Sequence, residues 1–168
     1  MADEQRPRNV VTVGVAQFRV GSAPLALMTM ALGSCLGIVL FDASTKIGAL
    51  VHVMHPWRSR VKNNANRAKF VDTAIPLVVA QMVDRGARRE AIVAKLFGGA
   101  RMFESVAASR GVLQIGDENI AAAREQLGLH GIPIVAECVG GTRGRTIVFD
   151  TNDGSVVVKG IEAPEEKY

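Results

Sequence analysis

Residues 25–56 read LALMTMALGSCLGIVLFDASTKIGALVHVMHP, and this stretch decides the fold class. Three short apolar runs follow one another: Leu25–Met30, Leu36–Phe41 and Ile47–Met54. Small residues at 31–35, Asp42 and Pro56 separate or stop them, which is the signature of strands bounded by turn residues. Strands in direct succession do not build a doubly wound parallel sheet, where strand and helix alternate. The expectation is therefore α+β with mostly antiparallel or mixed sheets.

Working outward, Val10–Val15 reads as a further strand, and Gly21-Ser22-Ala23-Pro24 as a turn. Residues 57–69 carry Arg58, Arg60, Lys62, Arg67 and Lys69 with three asparagines and no acid; an exposed loop is expected. Phe70–Arg85 has helical spacing, with Phe70, Ala74, Leu77, Val78 and Met82 on one side. Pro76 fits only if that helix begins near Asp72; otherwise it kinks the helix. Ile92–Phe97 reads as a strand closed by Gly98-Gly99-Ala100, and Met102–Ser109 as a short helical turn. Asp117 can cap a helix running through Ala121, Arg124 and Leu127 to Gly131. Ile134–Ala136 is a strand, and Thr146–Asp150 with Ser155–Ile161 forms a hairpin turning at Asn152-Asp153-Gly154. One domain over residues 1–168 is expected, with loose tails at 1–9 and 162–168.

Composition narrows the function. The 168 residues are 48% hydrophobic, which is globular rather than disordered. Twenty Lys and Arg against 16 Asp and Glu give a formal charge of +4, short of a nucleic-acid-binding tail. Aromatics at 5% are too few for base-stacking platforms. Two cysteines do not make a disulfide scaffold. No apolar run reaches a bilayer span, and the polar start is unlike a signal peptide. A cytoplasmic protein with thiols free for chemistry is the expectation.

Cys35 stands in Leu32-Gly33-Ser34-Cys35 between two strands. Glycine before a nucleophile lets the backbone turn sharply, and the amides at Gly33, Ser34 and Cys35 could face a developing oxyanion. His52 lies within the next strand, and histidine with cysteine is a recognised nucleophile–base pairing. Spacing permits contact without proving it. The alternatives are a cysteine acting as a small buried hydrophobe and a histidine satisfied in the core.

The motifs together resemble the CheD family, the chemoreceptor glutamine deamidases. The resemblance runs through residues 31–42 and 48–56, Phe70-Val71-Asp72-Thr73-Ala74, residues 95–103, Ile115-Gly116 with Asn119, and residues 140–145. It implies a layered α/β/β/α sandwich of mixed sheets flanked by helices, like the catalytic domain of cytotoxic necrotizing factor. It also implies a triad of Cys35, His52 and Thr29 that hydrolyses receptor glutamine side chains through a thioester. Three residues depart from the family pattern: His55, Pro76 and Cys138. The resemblance implies a monomer acting on cytoplasmic receptor helices. It needs no cofactor, metal, nucleic acid or membrane insertion. A rival reading is a regulatory module that binds and stimulates a CheC-type phosphatase.

Arg58, Arg60, Gly98, Gly99, Met102 and Phe103 are the expected substrate-side residues. The basic loop has two readings, a solvated surface or a receiver for an acidic receptor helix. The Gly-Gly pairs lack the lysine and helix context of a phosphate loop and read as tight turns. His52 and His55 fall on opposite faces of a strand, which argues against a shared metal. Cys138 reads as a packing residue.

Overall fold

The computed structural model describes residues 9–102 and 114–168. Among the described residues, ten strands form two five-stranded mixed sheets, accompanied by two α-helices. The first sheet has the order β1 (Val10–Thr12), β3 (Ala26–Leu32), β8 (Arg145–Asp150), β9 (Val156–Gly160) and β10 (Glu166–Lys167). The second has β2 (Phe18–Ser22), β5 (Ile47–Val53), β4 (Leu36–Asp42), β6 (Ile92–Gly98) and β7 (Ile134–Val139). Among the strands of the described residues, only β1–β3 and β6–β7 pair in parallel. The chain changes sheets between β3 and β4, across residues 33–35.

The helices α1 (Val71–Asp84) and α2 (Ile115–Leu129) both pack on the outer face of the second sheet. Among the described residues the layers are therefore helices, sheet, sheet. The fourth, helical layer expected beyond the first sheet does not appear among them. Strand alternation sets the two interiors. On β5, Ile47, Ala49, Val51 and Val53 face the helices, while Leu50 faces the other sheet. The helix-side core also takes Ala74, Val78, Met82, Ala123 and Leu127. The inter-sheet core joins Leu27, Ile147 and Phe149 to Val39, Phe41 and Phe97. Phe41 and Phe149 meet edge-on there, their centroids 5.7 Å apart. Each fully buried Leu, Ile or Phe contributes about 1.5–3 kcal/mol.

Several expectations change. Residues 18–22 are a strand, because Phe18 and Val20 pair onto Val51 and Ala49. The first strand stops at Thr12. Pro76 sits inside α1 rather than in its first turn, leaving the Asp72 carbonyl without its usual helical donor. The basic loop contains two 3-10 turns, Arg58–Arg60 and Arg67–Lys69. The tail is tied rather than loose at its end: β10 pairs with β9, and Val156 and Tyr168 exchange both backbone hydrogen bonds at 2.9 Å. Phe103 and the turn expected up to Ser109 lie outside the described residues.

Candidate active site at the seam between the sheets

His52 is even-numbered on β5, so it points at the first sheet. There its Nδ1 meets the Thr29 hydroxyl of β3 at 2.8 Å. The same hydroxyl lies 2.7 Å from the Val13 carbonyl. A carbonyl only accepts, so the single Thr29 proton goes to Val13. Thr29 must then accept from His52 Nδ1–H. That fixes the tautomer and leaves Nε2 with a free lone pair. Both side chains are buried, and His52 Nε2 has no hydrogen-bond partner among the described residues. The end of β5 is pinned as well: the His52 amide donates to Gln17 O at 3.0 Å, and Ala16 N donates to His52 O at 2.9 Å.

Cys35 lies just ahead of β4, where Gly37 pairs with His52. It is half-buried and packs at the margin of the inter-sheet core, on the face that His52 occupies. Burial pushes the Cys35 thiol up, and its own amide, lying against the sulfur, offsets part of that. Burial pushes the His52 imidazole down. Both shifts disfavour the charged forms, thiolate and imidazolium.

The loop before Cys35 is held from outside. Gly33 O accepts from Ala100 N at 2.7 Å, and Cys35 O from Gly99 N at 2.9 Å. Gly98 is required here: its φ is +101°, and a Cβ would stand 2.5 Å from the Cys35 carbonyl oxygen. The Gly98 carbonyl in turn accepts from Arg145 Nη1 at 3.1 Å, while Arg145 Nη2 donates to Gly140 O at 2.7 Å. Gly98 and Gly99 are thus buried supports of the loop. Asn119 of α2 donates to Ser34 O and Met54 O. Neither the Ser34 nor the Cys35 amide reaches a carbonyl among the described residues.

Other expected residues sit around this centre. Met102 is exposed and packs over Gly33. Arg58 is half-buried and tied to Asn64 O at 2.8 Å, whereas Arg60 is exposed and pairs with Glu118 at 3.3 Å. His55 stacks on Phe70, with centroids 6.1 Å apart. Cys138 lies opposite Phe97, half-buried at the inter-sheet core. Sequence reasoning passed over the supporting roles of Arg145, Val13 and Asn119. Asn119 did leave a signal: it interrupts the otherwise apolar stripe Gly116, Ile120, Ala123, Leu127.

Fold and site together define a two-sheet α+β protein with a threonine and a histidine in contact across its seam and a half-buried cysteine packed against the same inter-sheet core. The chain belongs to the CheD family, whose model, CheD chemotactic sensory transduction, matches residues 54–160. A Moorella thermoacetica relative is 46% identical over 154 residues, 92% of each chain. One from Caldanaerobacter subterraneus subsp. tengcongensis is 43% identical, covering 90% of this chain and 93% of its own. Both carry the name "Probable chemoreceptor glutamine deamidase CheD". The family match begins at Met54, downstream of the three residues, but the relatives align over nearly the whole chain. Among solved structures, the Neisseria meningitidis DUF152 protein NMB0706 superposes with a TM-score of 0.52 at 12% identity, over 84% of this chain and 75% of that one. That likeness concerns the fold.

Proposed function

We propose that this protein hydrolyses glutamine side-chain amides of chemoreceptors to glutamate, with Cys35 as nucleophile, His52 as base and acid, and Thr29 as the group that orients His52. The observation that carries the reading is the relay from Val13 O through Thr29 to His52, which presents a buried, unpartnered Nε2. As Cys35 Sγ adds to the amide carbon, His52 Nε2 takes the thiol proton and the carbonyl π pair moves to oxygen. The Ser34 and Cys35 amides receive the oxyanion. The tetrahedral adduct collapses, the C–N bond breaks, and Nε2–H protonates the departing ammonia. Water then adds to the thioester, losing a proton to Nε2. The C–S bond breaks, and sulfur recovers a proton as the glutamate carboxyl forms. All three side chains come from one chain, so a monomer suffices, and the substrate segments are cytoplasmic receptor helices. Exposed Met102 beside Gly33 offers an apolar contact for such a helix.

The test is mass mapping of a receptor cytoplasmic fragment before and after incubation. Wild type should add about one dalton per modified glutamine, the amide-to-acid difference expected of this thioester route. Cys35→Ala should add none; equal activity in the two would sink the assignment.

A further inference from the structure

Three successive carbonyls around the nucleophile are each taken by a donor from outside the loop. Gly33 O is held by Ala100 N, Ser34 O by Asn119 Nδ2 at 3.0 Å, and Cys35 O by Gly99 N. In a trans peptide the C=O and the following N–H point in opposite directions. Holding a carbonyl therefore aims the next amide. The first two clamps aim the N–H groups of Ser34 and Cys35, the pair that reaches no carbonyl among the described residues.

The middle clamp alone is a side chain. Asn119 is fully buried, and its Nδ2 also donates to Met54 O at 3.1 Å, two residues beyond His52. One amide group thus spans the nucleophile's peptide and the strand of the base, using both of its protons. Close backbone approach makes this reach available: a Cβ at Gly116 would stand 2.6 Å from Gly99 O, and one at Gly99 2.6 Å from Ile120. Asn119 Oδ1 is buried with no partner among the described residues. An unpaired buried acceptor is unfavourable, so an apolar side chain would serve packing alone better than this asparagine does.

We propose that Asn119 is a positioning residue for the deamidation: its amide holds the Ser34–Cys35 peptide so that the Cys35 N–H faces the oxygen that becomes anionic when sulfur adds. The proposal rests on the cysteine-hydrolase reading above. Asn119 itself touches neither substrate nor reacting atoms.

Two rates separate this role from a structural one. Deamidation passes through an oxyanion; alkylation of Cys35 by iodoacetamide is a displacement at a saturated carbon and develops none. Asn119→Leu should lower kcat on a receptor fragment by roughly 10²-fold, the scale of a lost oxyanion donor. KM and the Cys35 alkylation rate should stay within about twofold, because neither depends on that donor. Asn119→Ser is the second variant, read by the same assays, in case the leucine does not fold. Unchanged kcat overturns the proposal. So does a parallel fall of kcat and alkylation, which would place the effect on the thiol, and so does failure of both variants to fold. A wild type that alkylates but does not deamidate overturns the parent reading and this role with it. An active wild type beside unimpaired variants overturns this role alone.

Discussion

Thr29 makes two hydrogen bonds with one hydroxyl, and in the proposed mechanism that economy is what leaves His52 Nε2 open to act as a base. Thr29→Val keeps the shape but leaves both Val13 O and His52 Nδ1 buried and unpaired. The expected cost is about 1–3 kcal/mol of stability, read by urea unfolding, with a fall in kcat as the imidazole loses its fixed tautomer. Thr29→Ser, which restores the hydroxyl, should recover most of both. The same burial sets the pH response. A base works deprotonated, and His52 is held below its ordinary value. The rate should therefore rise with pH through a midpoint under the usual histidine value of about 6.5 and be flat through neutrality. Because the Cys35 thiol is pushed up, its alkylation should titrate above the ordinary thiol value of about 8.5. A thiolate already formed at acidic pH would contradict this. Cys35 and His52 stand out in the sequence as a candidate nucleophile–base pair, and Thr29 joins them only through family resemblance; the structure sets Thr29 against His52. Their contact was not legible from spacing, because a threonine and a histidine 23 residues apart meet only through the register of two different sheets.

At the scale of elements, what the sequence shows best is what is local. The run from Leu25 to Met54 does form three successive strands, since each is apolar and ends at a turn. Gly21-Ser22, expected within a turn, instead ends the strand Phe18–Ser22, and only pairing with β5 makes it one. Pro76 within α1 shows tertiary packing outweighing a local preference: Ile75, Val78, Val79 and Met82 bury the helix on the sheet. Two elements carry predictions. Gly98→Ala places a side chain against the Cys35 carbonyl at a φ that L-residues rarely adopt. It should lower Tm and abolish deamidation, as checked by calorimetry and mass mapping on one sample. Asp42 closes the β4–β5 turn: it accepts from the Ser44 amide and hydroxyl, Thr45 Oγ1 and the Arg88 amide. Burial raises its carboxyl, but these donors outweigh burial and hold it at about 2. A folded value below the unfolded one means stability that is present above the ordinary value of about 3.9 and lost as pH falls through the folded one. Asp42→Asn should thus weaken the protein at neutral pH, with the gap to wild type closing between about pH 4 and pH 2 in denaturant titrations.

On the scale of the whole molecule, the α+β class with mixed sheets was readable from the order of strands. The layering was not, because nothing local to α1 or α2 says that both pack on one sheet. The paired C-terminal end escaped for the same reason: residues 166–168 are polar and turn-like, yet β9 offers a free edge and Phe97 a ring for Tyr168. The charge of +4 is spread unevenly, with Arg60, Lys62 and Arg67 exposed on one loop. Reversing Arg60 and Lys62 to glutamate should slow receptor modification at low salt and flatten its salt dependence, with kcat at saturation unchanged, as steering acts on encounter. Identical salt slopes would make the loop a bystander. The seam between the sheets has its own consequence. The hydroxyl rides on one sheet and the imidazole on the other, while each sheet keeps its own hydrogen-bond ladder. Under the proposed mechanism, catalysis therefore works as a gauge of inter-sheet spacing. A molecule that wedged the sheets about an ångström apart would break the Thr29–His52 contact, since hydrogen bonds fade beyond about 3.5 Å, and would silence the protein with its secondary structure intact.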